Sequence, residues 1–583
     1  MKIPLRQYWR LLRNYLQAQR RMLLLLAVLL LFSIGLEIVN PLILRTFIDT
    51  ATTGGEPQTL LTAALTFITI ALIQRALTVA ATYAGSSVGW NATNELRADV
   101  ARHCLKLDMT FHNTRTPGEL IERIDGDVTA LSNFFSQFVI RVLGNLLLLS
   151  GVLIVLYVQD WRIGLALTVF ALVALLVLIR LRWLGVPRWR VVRQLAAEYY
   201  GSLGERLAGT EDIRASGAVD YVMHRYYTLL RRWIKPWISA SVVGGAGMWS
   251  GVTATFTVGM ATAFVLGAAL YRQGAITIGT VYLIFFYTEM IRQPIEQILR
   301  QLEDLSRASA SIGRIRELLD ITSKIQPAGE ARDLPRGPLT VKFDRVSFSY
   351  SEAEPVLKDI SFDLPAGQVL GVLGRTGSGK TTLARLLLRL YDVQAGQISL
   401  ADVPVQAVRD SNLRQRVGMI TQDVQLFHAS VRDNLTFFEP DIADDVLRRQ
   451  LIDLGLWPRI AALPNGLDTE LASGGRGLSA GEAQLLTCAR LFLRDPGLVI
   501  MDEASARLDP ATEHLIEAAI DRLLTERTGI IIAHRLKTVL RADRILILED
   551  GRIIEEGERT ALMRDPQSRF YQLLQTGLEE VLA

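Results

Sequence analysis

Apolar residues fill the first part of the chain in long runs; beyond about residue 330 they shorten into strand-length stretches punctuated by glycine and proline. A helix needs about 20 apolar residues to cross the hydrocarbon core of a bilayer. Residues 22–44 supply one such run, broken by Glu37, and 60–81 supply a second, with Gln74 and Arg75 inside it. Further runs lie at 138–158, at 163–179 and at 239–271, the last without a charge. A sixth, at 275–299, carries Glu289 and Arg292 in its second half. One such run reads equally as a buried helix of a soluble domain. Six in succession predict an α-helical membrane domain of six spans.

The connections between runs differ in charge. The one at Gly54, Gly55, Glu56 and Pro57 has no lysine or arginine, and those at 159–162 and 271–274 have one arginine each. The segment before the first run carries Arg6, Arg10, Arg13, Arg20 and Arg21, and the connections at 90–135 and 180–238 are arginine-rich. Basic loops stay on the cytoplasmic side, so both termini and the two long connections are expected there. Residues 95–107 and 203–219 have amphipathic helical spacing, which predicts helices continuing out of the bilayer. The first apolar run is long and is followed by others, so it reads as a retained anchor and not as a cleaved signal.

The second part begins after a stretch punctuated by Gly329, Pro335, Gly337 and Pro338, and alternation at 339–343 predicts a strand. Of the 583 residues about half are hydrophobic, and 63 basic against 59 acidic side chains leave a formal charge of only +4, which argues against a nucleic-acid partner. Cys104 and Cys488, the two cysteines, fall in different predicted domains and show no metal-ligand spacing, so both are expected to be packing residues.

The apolar strand 368–373 leads into Gly374, Arg375, Thr376, Gly377, Ser378, Gly379, Lys380, Thr381 and Thr382. This is a complete P-loop pattern in a strand–loop–helix setting. Its glycines let backbone N–H groups wrap a phosphate, the following helix points its positive end at it, Lys380 reaches the β- and γ-phosphates and the Thr381 hydroxyl holds Mg²⁺. A second apolar strand, 498–501, ends in Asp502 and Glu503. Asp502 suits Mg²⁺ through water, and Glu503 suits a base or water-positioning group for attack on the γ-phosphate.

These motifs, with Leu478, Ser479, Ala480, Gly481 and Glu482 between them, resemble the ABC transporter superfamily over nearly the whole chain. The resemblance implies segments of 1–20 before the membrane, 21–310 for six spans with two long cytoplasmic loops, 311–338 for a linker and 339–583 for an α/β P-loop ATPase domain with a helical subdomain. It implies that Ser479, Ala480, Gly481 and Glu482 cradle the nucleotide on the P-loop of a second ATPase domain, so that the chain is a half-transporter working as a dimer. Tyr350 resembles the aromatic that stacks on adenine, Gln422 the glutamine that touches Mg²⁺, Asp509 the D-loop aspartate and His534 the switch histidine on the γ-phosphate. The segments Phe111, His112 with Arg115 to Val128, and Leu207 to Ala215, look like the loops that carry coupling helices in exporters.

Several departures from the family pattern matter. Ala480 and Glu482 stand where glycine and glutamine are usual, Ser473 where an acidic residue is, and Ala506, Arg507 where serine, alanine are. The signature changes touch the site built on the partner's P-loop, so a heterodimer with unequal sites is expected over a homodimer. The expected activity is ATP-driven export by an integral protein of a bacterial-type inner membrane, with a drug, lipid or hydrophobic peptide as substrate. An ATP-gated channel or regulator on the same fold is the alternative.

Overall fold

The computed structural model describes residues 15, 17–326, 329, 331–351, 354–421, 424–439, 441–472, 477–502, 510–533 and 536–576, without the side chains at 133–140, 299–300, 302–307, 510–511 and 536–537. The chain forms two compact units: one from the N-terminal segment to Lys106 with Thr116–Ile321, the other from Leu107–Arg115 with the chain from Thr322 onward.

The helices used below are α1 (Arg20–Thr52), α2 (Pro57–Lys106), α3 (Met109–Asn113, part of the second unit), α4 (Arg141–Gln159), α5 (Trp161–Ala208), α6 (Thr210–Ala215), α7 (Val219–Arg272) and α8 (Ile278–Leu319). Among the described residues, five of them, α1, α2, α4, α5 and α7, are long and apolar enough to cross a membrane. At most 33% of any such apolar window is buried, so these helices turn their apolar faces outward, as lipid-facing helices do. The sixth predicted run lies on α8, which carries Glu289, Arg292 and Glu296 within it, so length and composition do not confirm a count of six.

The helices far outrun a bilayer. At about 1.5 Å per residue, the 50 residues of α2 extend roughly 75 Å, against a hydrocarbon core of about 30 Å. The amphipathic stretch at 95–107 lies on this extension, up to Lys106. The stretch at 203–219 is not one helix. It ends as α5 at Ala208, restarts as α6 and stops at Gly217, whose φ of 64° is the left-handed conformation that ends a helix. Where α5 meets a π-turn of α7 at Ser241–Ala246, a Cβ on Gly185 would sit 3.0 Å from the Gly244 Cα, so two glycines set the approach of the helices. A buried carboxylate joins the segment after α3 to α8: Asp127, 2% exposed, accepts from Ser311 Oγ at 2.9 Å and Arg314 Nε at 2.9 Å. Cys104 is buried in this unit and Cys488 in the other, where burial pushes its thiol up to about 12; both behave as packing residues.

Among the described residues the second unit holds a four-stranded, a six-stranded and a two-stranded sheet, the last pairing its seventh and eighth strands. Its strands are β1 (Val341–Ser349), β2 (Pro355–Leu364), β3 (Val369–Leu373), β4 (Ala395–Leu400), β5 (Val403–Pro404), β6 (Val417–Ile420), β7 (Ala429–Ser430), β8 (Glu470–Leu471), β9 (Leu498–Asp502), β10 (Thr528–Ile532), β11 (Arg544–Glu549) and β12 (Arg552–Glu558). An antiparallel sheet has the order β2-β1-β4-β5, and a six-stranded sheet has the order β12-β11-β3-β10-β9-β6, parallel except at β12. Every residue of β3, β9 and β10 is buried, as expected of parallel strands covered on both faces. Such strands leave their carboxyl ends as the place where loops gather into a site. The register puts four of those ends side by side: Ile532 pairs with Val372 and with Asp502, and Met501 with Ile420.

Candidate ATP site

β3 runs into the loop 374–379, and α9 (Lys380–Leu387) follows. The turn demands glycine. Gly374 has φ 149° and a Cβ there would lie 2.2 Å from the Leu548 carbonyl oxygen; Gly377 has φ 85° with open space where a Cβ would be. α9 begins with Gly379 as its N-cap and no side-chain cap, so its first N–H groups remain for a ligand. Lys380 is 6% exposed, and its Nζ donates to the carbonyl oxygens of Gly374 at 2.6 Å and Arg375 at 3.0 Å, folded over the loop it would share with a phosphate. The buried Ser378 Oγ finds no hydrogen-bond partner among the described residues, a donor aimed into the same cradle.

The neighbouring strand completes the arrangement. The Thr381 hydroxyl donates to Asp502 Oδ2 at 3.0 Å, and Asp502 is 8% exposed. A hydroxyl and a carboxylate converging beside a phosphate cradle are hard oxygen ligands of the kind Mg²⁺ takes. Thr382 is buried on α9 and shares a 3.1 Å hydrogen bond with the Tyr350 hydroxyl. Tyr350 stands edge-on to Phe348 and to Tyr391, at 5.0 and 5.1 Å between centroids, with 38% of its surface exposed for a further ring to stack. Gln422, Ser473, Glu503, Ala506, Arg507, Asp509 and His534 lie outside the described residues. Glu503 follows the last residue of β9 directly; Gln422 and His534 come two residues after β6 and β10.

Residues 23–295 match the model of the ABC transporter transmembrane region, and 357–506 match that of the ABC transporter domain. The chain is 31% identical to an uncharacterised ABC transporter ATP-binding protein of Bacillus subtilis, YknV, over 96% of this chain and 92% of that one. The chain belongs to the ABC transporter family. It is 30% identical to an ATP-dependent lipid A-core flippase of Alcanivorax borkumensis over 80% of each chain. Its fold matches a bacterial Atm1-family ABC exporter with ATP bound, at a TM-score of 0.77, 24% identity and coverage of 96% and 98% of the two chains. This ABC transporter is an integral membrane half-transporter with an exporter-type fold and an ATP-hydrolysing domain.

The signature segment of this ABC transporter opens α11 (Ala480–Arg494), preceded in the chain by α10 (Trp457–Ala461). Ser479 caps α11: its Oγ accepts from Glu482 N at 3.2 Å while Glu482 Oε2 accepts from Ser479 N at 2.7 Å, a reciprocal capping box. Gly481 is buried on the first turn. Arg459 of α10 donates through Nε to Glu482 Oε1 at 3.1 Å and through Nη2 to the Gly477 carbonyl at 2.8 Å. Sequence reasoning missed Arg459, because nothing in its local pattern points to a residue 23 positions further on.

Leu107–Arg115, with α3, belongs to this unit. Asp108 caps that helix, accepting from Thr110 N at 2.9 Å and Phe111 N at 3.3 Å, and also accepts from Lys324 N at 2.6 Å. Burial pushes its carboxyl up, but those bonds and one from Ser323 outweigh it and hold the group below its usual range. Its contribution is therefore present above the ordinary carboxylate range and is lost as pH falls through the lowered value. Asn113 Nδ2 donates to the Tyr391 hydroxyl at 2.6 Å, and Met109 packs on the core beneath β1 and β3. A groove of about 510 Å³ elsewhere in the unit is lined by Arg414, Phe427, Phe437, Arg490 and Arg494 among others. Arg490 stacks on Phe437 at 4.6 Å, and burial with Arg494 nearby lowers its guanidinium to about 10.

In the membrane unit, Glu37, Glu289 and Arg292, the charged residues named within the apolar runs, are partnered. Arg292 bridges Glu289 at 3.3 Å and Glu296 at 3.1 Å along α8, and Glu37 accepts from Gln74 Nε2 at 3.5 Å across α1 and α2.

Proposed function

We propose that the chain is one half of a dimeric exporter that moves an amphipathic drug, lipid or hydrophobic peptide outward on ATP binding and resets on hydrolysis. The observation that carries this reading is the meeting of Thr381 and Asp502 beside the glycine loop, at the carboxyl ends of β3 and β9 in a domain fused to apolar spans. In this reading Gly374, Arg375, Thr376, Gly377, Ser378, Gly379, Lys380, Thr381 and Thr382 hold the triphosphate, and Tyr350 stacks on the adenine. Thr381, Asp502 and Gln422 hold Mg²⁺, which supplies charge neutralisation at the β- and γ-oxygens when bound. Glu503 takes the proton of the attacking water, His534 contacts the γ-phosphate and Asp509 reaches across the dimer. The signature Ser479, Ala480, Gly481 and Glu482 serve the partner's nucleotide. Both termini and the ATPase domain face the cytoplasm of an inner membrane.

The partner is a different half-transporter. The residues this chain gives to its own P-loop site have the usual form, and the altered ones fall on the site it shares with the partner's P-loop. Expression of this chain alone tests the point: low ATPase activity, restored by a second, different half-transporter, is expected. A stable homodimer with full substrate-stimulated activity would rule the heterodimer out.

The Asn113–Tyr391 bond links the first loop to the ring that backs Tyr350, which makes Asn113 a coupling residue. Losing one such bond costs about 1 kcal/mol, roughly fivefold in an equilibrium. Asn113→Ala is expected to cut substrate stimulation of the ATPase several-fold while basal turnover persists. Equal stimulation in the two proteins would deny the coupling role.

A further inference from the structure

The signature helix carries a carboxylate where its N-terminus must receive an anion. Glu482 is in the first turn of α11, and its charge opposes any phosphate brought to the backbone N–H groups there. The charge is not left uncompensated. Arg459 reaches from α10 to Glu482 Oε1 at 3.1 Å, and its other arm holds the Gly477 carbonyl, two residues before the cap, at 2.8 Å. The second carboxylate oxygen is committed to the Ser479 N–H. Glu482 is thus pinned on both oxygens, turned back on the cap and neutralised.

The pair is half-open to solvent, with 43% of the Arg459 and 22% of the Glu482 side chain exposed, so as a stability element it contributes little. Its position gives it another use. A capping box would work as well with glutamine at 482, because glutamine also accepts from the Ser479 N–H. Beyond its bond to the Gly477 carbonyl, the arginine matters where the extra charge of glutamate matters, which is when an anion approaches.

We infer that Arg459 is a positioning residue of the shared ATP site: it cancels the Glu482 charge so that this chain's altered signature still accepts the nucleotide held on the partner's P-loop. The inference rests on the proposed function, in which the signature faces that nucleotide. Removing the guanidinium leaves a bare carboxylate beside the phosphates, and one uncompensated charge at a partly exposed anion site corresponds to about tenfold in affinity.

The experiment measures steady-state ATPase activity of the assembled transporter, with its partner half if one is required, against MgATP concentration. Arg459→Ala is expected to raise KM about tenfold with a smaller change in kcat. The double variant Arg459→Ala with Glu482→Gln is expected to return KM towards its original value, and Arg459→Lys to keep KM near it. If Arg459 acted only by holding the Gly477 carbonyl, the double variant would remain as poor as Arg459→Ala, and the inference would fall. Ala480→Asp separates this from failure of the underlying reading. Aspartate at the first helical position favours the helix itself but repels a phosphate placed there. Unchanged KM in Ala480→Asp means that the signature does not face nucleotide, and the shared-site reading falls with the inference. Raised KM in Ala480→Asp with unchanged KM in Arg459→Ala overturns the inference alone.

Discussion

Glu503→Gln is expected to lower ATP turnover at the site on this chain's P-loop by about a hundredfold to a thousandfold, the range that a positioned general base contributes. Asp502 ends β9 and shares a hydrogen bond with Thr381, and Glu503 follows it in the chain. Glutamine keeps the size and one acceptor oxygen but cannot take a proton. Nucleotide affinity is therefore retained, and the two ATPase domains remain closed on unhydrolysed ATP. Single-turnover hydrolysis with retained label, measured on the assembled transporter, checks this. Hydrolysis at the normal rate at that site would remove Glu503 from the role of base.

Lys380→Ala acts on binding. The ammonium is held by the Gly374 and Arg375 carbonyls and is 6% exposed, so it is already placed over the loop before any phosphate arrives. Hydrogen bonds to charged groups are worth about 1.5–3 kcal/mol, so affinity for ATP is expected to fall roughly tenfold to a hundredfold. The side chain sits at the loop and not in the apolar core under the sheet, so the membrane unit keeps its fold. Equilibrium binding at this chain's own site, with far-UV circular dichroism of the same sample, gives the two readouts. Tight ATP binding by the variant would contradict the P-loop assignment.

The candidate site was legible wherever its geometry is local. The P-loop is one continuous segment, and β3, the glycines with positive φ and α9 stand where the pattern required them. Asp502 was legible from four apolar residues ending in a carboxylate, because a buried parallel strand has room for a polar residue only at its end. The Thr381–Asp502 contact spans 121 positions, so only the sheet order could place it. Arg459 was invisible for the same reason, and so was Tyr391 behind Tyr350. The spans were legible from run length, but α8 mixes apolar residues with Glu289, Arg292 and Glu296, and composition alone does not count it. The 203–219 stretch misled because amphipathic spacing persists through Gly209 and Gly217, while the backbone breaks there.

The central claim is that ATP hydrolysis by this half-transporter drives a substrate outward. Reconstitution into liposomes with the ATPase domains outside, with the partner half supplied where it is needed, tests it directly. Addition of MgATP is expected to move a fluorescent amphipathic substrate into the vesicle lumen against its gradient, and Glu503→Gln is expected to abolish that uptake. ATP-dependent movement that only follows the gradient and survives Glu503→Gln would contradict the account, and would make the protein an ATP-gated channel.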